Sequence, residues 1–243
     1  MKATDMKKTS YYIFVLTLLF ATACTTQQIN QTLGTVLAGT TEPTTGEVAS
    51  GLKEALTKGI SIGADNAHKT DGYYKNSLIR IPFPPDVQRV EDRLRQIGLG
   101  SEVDKFVLSL NRGAEKAAIE AKPIFISAIK SLTIQDAWAI LRGDDDAATQ
   151  YLKRTTSNQL KDKFQPIISQ SLNEVNATRY YSDLVNTYNR IPLVNKVDPD
   201  LTSYATDRAI EGLFTLVAQE EKNIRENPIA RTTELLRKVF AHQ

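Results

Sequence analysis

The side chains that most often perform catalysis or bind metals are scarce in this chain. It has two histidines, His68 and His242, and a single cysteine, Cys24. Neither histidine has a partner at the spacing of a zinc site, and no H-E-x-x-H motif occurs. A G-x-S-x-G motif and a glycine-rich phosphate loop are also missing. The sequence therefore predicts no cofactor and no metal, and it identifies no catalytic residue.

The phrase RGDDD at residues 142–146 places three carboxylates in a row, on Asp144, Asp145 and Asp146. A cation site is one interpretation, but an EF-hand alternates its ligands and closes with a distant glutamate, which this phrase lacks. An integrin-type adhesion tripeptide is another. We favour a helix that stops at Gly143, followed by an acidic start to the next helix, where carboxylates suit the positive end of the helix dipole.

Two arginines stand in unusual surroundings. Arg80 lies in a proline-rich phrase, SLIRIPFPP, and Arg112 follows Asn111 within an otherwise apolar helical pattern. Arginine is seldom buried without a partner. One interpretation is a structural clamp in which an acid of 144–146 pairs with an arginine, and the other is a groove for an anion or a peptide. We favour the clamp for Arg112 and a surface contact for Arg80.

Tyrosines cluster towards the C-terminal half, at positions 180, 181, 188 and 204. Tyrosine is amphipathic, so Tyr180 and Tyr181 fit either a helix interface or a binding face. The helix interface is the interpretation we favour, and the two residues remain candidates for a polar binding cluster with the arginines.

Cys24 stands at the end of an apolar run. Lys7 and Lys8 precede 13 residues, 11–23, that carry no charge. A membrane-spanning helix needs about 20 residues, so the run fits a secretory signal peptide instead. The residues before Cys24 resemble the lipobox of bacterial lipoproteins, although Ala21 stands where leucine is usual. A free buried cysteine and an ordinary signal peptide are the alternatives.

Lipidation at Cys24 divides the chain into three parts. We expect a signal peptide over residues 1–23, a flexible tether over 24–45, rich in Thr, Gln and Asn, and a helical domain over 46–243. Two acyl chains are enough for stable membrane attachment. An aspartate directly after the lipidated cysteine resembles an inner-membrane retention signal, and this chain has Thr25 at that position. We therefore expect a lipid-anchored protein of the bacterial cell envelope, at the outer membrane.

The balance of basic and acidic side chains argues against a nucleic-acid partner. The chain has 30 Lys and Arg against 28 Asp and Glu, and residues 1–23 contain three lysines and one aspartate. The remainder therefore has 27 basic and 27 acidic side chains. Binding to nucleic acid depends on basic surface that releases counterions, so we expect no nucleic-acid partner.

Helical patterns follow one another from Thr44 to the C-terminus. Apolar residues recur at three- and four-residue steps, most cleanly from Val103 to Ala121. Residues 78–83 look strand-like, but the prolines at 82, 84 and 85 exclude a sheet interior, so we expect an extended connector. We predict an all-α, single compact domain of about eight to ten helices without a significant sheet. A helix break near Thr155–Ser157, a largely buried Trp138 and a last helix through Leu235 and Phe240 belong to this prediction.

Several phrases together resemble one bacterial family: LIRIPFP, LNRGAEKAA, DAWAILRGDDDAATQY, TRYY and RENPIARTTELLRKVF. They resemble domain-of-unknown-function family 4197, over about residues 46–241. The resemblance implies a secreted, often lipidated, helical protein and supplies no activity, cofactor or catalytic residue.

Two classes of function remain open at this stage. The first is a non-catalytic envelope lipoprotein that binds a protein partner or a small ligand. The second is a hydrolase or transferase that acts on cell-wall or lipid material through unidentified carboxylates. Two facing carboxylates in a deep cleft would favour the enzyme, and a shallow apolar or tyrosine-lined groove would favour binding.

Overall fold

The computed structural model describes residues 44–190, 192–193, 195–227, 233 and 237. The expected signal peptide, Cys24, nearly all of the tether and the last helix lie outside these residues. The helices that the structure describes are α1 Thr45–His68, α2 Gln88–Gln96, α3 Gly100–Ala117, α4 Ala121–Lys130, α5 Ile134–Leu141, α6 Ala147–Asn173, α7 Ala177–Tyr188 and α8 Leu201–Glu226, with 3-10 turns at Pro85–Val87 and Ala118–Glu120. No strand occurs in this part of the chain, which confirms the all-α fold.

Two helices begin at capping boxes, as their sequences indicate. The hydroxyl of Thr44 accepts a hydrogen bond from the backbone N–H of Glu47, whose carboxylate accepts one from the N–H of Thr44. Thr133 and Asp136 repeat the arrangement at the start of α5. Each pair satisfies N–H groups that the first helical turn leaves without partners.

The expected break near Thr155 is wrong, and α6 runs unbroken for 27 residues. The hydroxyls of Thr155, Thr156 and Ser157 each donate to the carbonyl four residues earlier, so these residues satisfy their own polar groups within the helix. Pro166 also lies inside α6, on its exposed side, where water can reach the carbonyl that loses its partner. Helix α3 leads into α4 through a single 3-10 turn, Ala118–Glu120.

The core lies between the long helices. Helix α8 packs against α6 and α1, and α3 packs along α6. The approach is close at Gly212 of α8, where an added Cβ would lie 3.0 Å from both Tyr73 and Ile79. Trp138 packs against this core with part of its surface exposed, and the guanidinium of Arg142 lies 4.5 Å from the centre of its ring.

The connector between α1 and α2 has the alternation that its sequence predicts. Ile79, Ile81 and Phe83 are buried, whereas Arg80 and Pro82 are exposed. A buried irregular segment needs partners for its backbone, and Asn111 of α3 supplies them. Its side-chain oxygen accepts from the N–H of Ile81 at 2.9 Å, and its amide donates to the carbonyl of Ile81 at 2.8 Å.

Replacement of Asn111 by alanine tests this attachment. Asn111 is completely buried, so Asn111→Ala leaves both backbone groups of Ile81 without partners. We expect the free energy of unfolding, measured by urea denaturation, to fall by roughly 3 kcal/mol.

The matched control is Asn189→Ala. The side chain of Asn189 binds the N–H and carbonyl of Val197 in the same way, but Asn189 is only half-buried. Water can replace it, so we expect a loss of about 1 kcal/mol or less. Equal losses for the two variants would show that Asn111 is not a special attachment point.

Candidate functional site

A half-open groove of about 1000 Å³ lies between α3 and α7. We call it the α3–α7 groove. Its lining is mostly apolar and comes from the connector, α2, α3, the end of α6 and α7: Phe83, Leu94, Leu99, Glu102, Val103, Lys105, Phe106, Leu108, Ser109, Arg112, Lys116, Ser171, Glu174, Val175, Ala177, Tyr180, Tyr181 and Leu184. Such a concave, mainly apolar site with a few polar groups is typical of small-molecule binding.

A row of aromatic rings lines the groove. The rings of Phe83 and Phe106 lie 5.0 Å apart, and those of Phe106 and Tyr181 lie 6.4 Å apart in a stacked arrangement. The connector supplies the first ring, α3 the second and α7 the third. These spacings suit aromatic pairs, so the row forms a rigid apolar wall.

The two helices present matching apolar positions. On α7, Ala177, Tyr181 and Leu184 recur at steps of four and three residues, and on α3 Val103 and Phe106 are three apart, so each set shares a helix face. Three large apolar residues remain exposed at the groove, since Leu99 is 40% exposed, Val175 is 51% exposed and Tyr180 is 67% exposed. Exposed apolar residues that continue a concave apolar surface are typical of interaction sites.

A line of cations follows one edge of the groove. Lys105, Arg112 and Lys116 are seven and four residues apart on α3, which places them on one side of the helix. Lys116 forms an ion pair with Glu174 at 3.3 Å. Glu102 is the other acid in the lining, one turn before Lys105.

Arg112 is an ion-pair clamp as well as a groove residue. One of its nitrogens lies 2.6 Å from a carboxylate oxygen of Asp71, and another donates to Glu115. The structure therefore pairs Arg112 with Asp71 and Glu115, and not with the acids at 144–146. Glu115 is buried, and its other oxygen accepts from the backbone N–H groups of Tyr73 and Tyr74, both at 3.1 Å. The clamp thus fixes the chain that leaves α1 onto α3.

The electrostatics of the clamp favour its charged form. Hydrogen bonds from Lys75 and then from Arg112 lower the pKa of Asp71. Hydrogen bonds to Glu115 and Asp71 raise the pKa of Arg112. Burial, and then the charge of Glu115, raise the pKa of Tyr73, whose hydroxyl donates to the carbonyl of Ala209 at 2.6 Å. Each of these groups thus has a hydrogen-bond partner within the domain.

Arg80 does not line the groove. It is exposed on the connector, with its guanidinium 4.9 Å from the centre of the Tyr74 ring. The guanidinium of Arg112 lies 5.9 Å from the same ring. Of the candidates named from the sequence, the α3–α7 groove therefore brings together Arg112, Tyr180 and Tyr181. Tyr181 is buried against the core while Tyr180 is open to solvent.

Asp144 and Asp145 lie apart from this site. Both are exposed. The three acids do precede the start of α6, with Asp146 at its N-cap as predicted, but the Asp146 side chain does not bind the first-turn N–H groups, which another helix caps. Glu221 of α8 accepts hydrogen bonds from the N–H groups of Ala148 and Thr149, both at 2.9 Å. Arg225 donates to the same carboxylate and to the carbonyl of Ile140. The sequence carries no local signal for this cap, because donor and acceptor are more than 70 residues apart.

The described ranges contain no group of three or more His, Cys, Asp or Glu side chains that could hold a metal ion. A second, smaller pocket of about 480 Å³ is more polar and includes Asp71, Lys75 and Glu220. Asp71 is held there by Lys75 and Arg112.

No described helix alone is long and apolar enough for a membrane span, and only one bent pair, 100–130 with 134–141, passes that test jointly.

The fold and the groove define an all-helical domain with an apolar, charge-edged groove between α3 and α7. The chain belongs to the family described as "Protein of unknown function (DUF4197)", whose model matches residues 42–241, and this confirms the resemblance that the phrases suggest. No curated protein and no solved structure matches the chain.

Alanine substitution of the two arginines separates the clamp from the surface contact. Arg112→Ala leaves Asp71 without one partner and Glu115 without its cation in buried surroundings. Because Arg112 is about one-third exposed, we expect a loss of roughly 1–3 kcal/mol in the free energy of unfolding, below that of a fully buried pair. Arg80→Ala removes one exposed ring contact and should cost less than about 1 kcal/mol.

The double variant Arg112→Ala, Glu115→Gln is the control. A glutamine keeps a carbonyl oxygen for the N–H groups of Tyr73 and Tyr74 but carries no charge that needs a cation. We expect it to be more stable than Arg112→Ala alone. If Glu115→Gln restores none of the stability lost in Arg112→Ala, or if Arg80→Ala lowers the free energy of unfolding as much as Arg112→Ala, the clamp is not electrostatic.

Proposed function

We propose that this protein is a non-catalytic envelope lipoprotein whose helical domain binds an apolar ligand or partner in the α3–α7 groove. The observation that carries the proposal is the continuous apolar wall of Phe83, Phe106 and Tyr181, which opens to solvent beside Val175 and Tyr180. Phe83 and Tyr181 are buried in that wall, whereas the apolar side chains of Leu99, Val175 and Tyr180 beside it are exposed. Covering these exposed side chains stabilises the domain, so a ligand that takes the place of water explains the groove best.

The alternative is an enzyme that acts on cell-wall or lipid material. It requires a carboxylate that is free to exchange protons or attack a substrate inside a cleft. Of the two acids that line the groove, Glu174 is paired with Lys116 and Glu102 is exposed to solvent, while Glu115 behind the groove has both oxygens engaged, by Arg112 and by two backbone N–H groups. These contacts favour binding over catalysis.

Membrane attachment through Cys24 is the second part of the proposal. The sequence motif supports it, and the length of the tether agrees with it. As a flexible coil, the 22 residues of the proposed tether, 24–45, would span roughly 25 Å root-mean-square.

Replacement of Cys24 by serine tests the anchor. A hydroxyl does not replace the thiol that forms the thioether to the lipid, so Cys24→Ser should abolish incorporation of labelled fatty acid and move the protein from the membrane fraction to the soluble fraction. Unchanged labelling and fractionation would overturn lipidation at this residue.

A charge placed in the groove tests the binding site. In the full chain carrying Cys24→Ser, which avoids detergent, we expect the neutral dye N-phenyl-1-naphthylamine to bind with a rise in fluorescence. Val175→Glu places a carboxylate on the apolar lining, and its desolvation should weaken dye binding at least about tenfold.

Ile119→Glu is the matched control for Val175→Glu. Ile119 is 52% exposed, close to the 51% of Val175, but it does not line the groove. Its substitution should change dye affinity less than about twofold. The groove would be contradicted as a binding site if the dye did not bind the parent chain, or if it bound both variants with the affinity of the parent chain.

A further inference from the structure

We infer that the ligand of the α3–α7 groove is a single-chain zwitterionic lipid, with one acyl chain against the aromatic wall and a phosphate–ammonium headgroup between Lys105 and Glu102. This inference rests on the proposed function and specifies its ligand class.

The size and polarity of the groove indicate the chain. Its volume of about 1000 Å³ is at the upper end of pockets that hold drug-sized molecules, about 300–1000 Å³. The groove therefore suits one acyl chain with its headgroup better than a lipid with several chains. Its wall is mostly apolar, with Phe106 on α3 and Tyr181 and Leu184 on α7, and such a surface suits a hydrocarbon chain.

The charges at the edge of the groove indicate the headgroup. Five charged residues line it, three cations and two acids. Arg112 is balanced by Asp71 and Glu115 behind it, and Lys116 is paired with Glu174. Each of these cations therefore has a carboxylate that already offsets its charge.

Lys105 and Glu102 are left at the edge, both exposed, and neither forms an ion pair within 4 Å in the described part of the chain. They lie three residues apart on α3, so their Cβ atoms are about 5–6 Å apart on one side of the helix. A headgroup with a phosphate and an ammonium separated by two carbon atoms carries opposite charges at a similar spacing. Such a headgroup would satisfy both residues, whereas a simple anion would leave Glu102 repelled.

Competition against the neutral dye tests the headgroup. Three ligands of equal chain length would be titrated below their critical micelle concentrations: lysophosphatidylethanolamine, the free fatty acid and the monoacylglycerol. We expect the zwitterionic ligand to displace the dye at about one-tenth of the concentration that the neutral monoacylglycerol needs, with the fatty acid in between.

Substitutions at the two residues should change the order of the ligands. The value compared is the ratio between ligands within one variant, which does not depend on changes in dye affinity. Lys105→Gln should bring the ratio of zwitterionic to neutral ligand close to one. Glu102→Gln should remove the advantage of the zwitterionic ligand over the fatty acid. Lys163→Gln, an exposed lysine of α6 outside the groove, is the matched control and should leave both ratios unchanged.

The outcomes separate this inference from the proposed function. Equal displacement by all three ligands, preference for the fatty acid in the parent chain, or an unchanged preference in Lys105→Gln would overturn the zwitterionic ligand. The dye experiment with Val175→Glu would still stand as evidence for the groove. If Val175→Glu loses dye binding while the parent chain keeps the expected order of the three ligands, both the groove and the zwitterionic ligand are supported.

Discussion

The burial of an irregular chain segment against α3 is the constraint on which the rest of the structure depends. The chain that leaves α1 crosses α3 without regular backbone hydrogen bonding, and its N–H and carbonyl groups need partners away from water. Two polar side chains one turn apart on α3 provide them. Asn111 binds Ile81, and Glu115 binds the N–H groups of Tyr73 and Tyr74. The charge of Glu115 then requires Arg112, which in turn holds Asp71 at the start of the segment.

The α3–α7 groove follows from this attachment. With Ile81 fixed, the alternation of the connector directs Phe83 inward, where its ring meets Phe106 of α3. Phe106 in turn stacks on Tyr181 of α7. The same helix thus fixes the connector and supplies the central ring of the aromatic wall. Arg112 links the two roles, because it belongs to the clamp and also lines the groove. A change in the clamp is therefore expected to reach the groove.

Much of the fold is visible in the sequence because the signals are local. The capping boxes at Thr44 and Thr133, the alternation around Arg80 and the polar Asn111 in an apolar helix all depend on residues within one or two turns. The threonines of α6 misled the prediction of a break, since a helix tolerates them when its opposite face is buried. Leu160, Phe164 and Ile168 form that buried face. The partners of Arg112 and the cap of α6 by Glu221 were not predictable, because they join elements tens of residues apart. That Arg112, Tyr180 and Tyr181 line the same groove depends likewise on the position of α7 beside α3.

The location of the ligand site can be measured directly with methyl-labelled protein and a spin-labelled stearate. The unpaired electron broadens NMR signals near the bound chain, so each labelled side chain reports its distance from the ligand. The account predicts strong broadening for Val103, Val175 and Leu184, which line the α3–α7 groove, and little for Ile119 and Ile134, which are exposed elsewhere. Broadening centred on Ile119 or Ile134, or spread evenly over all exposed methyl groups, would contradict a ligand site in this groove.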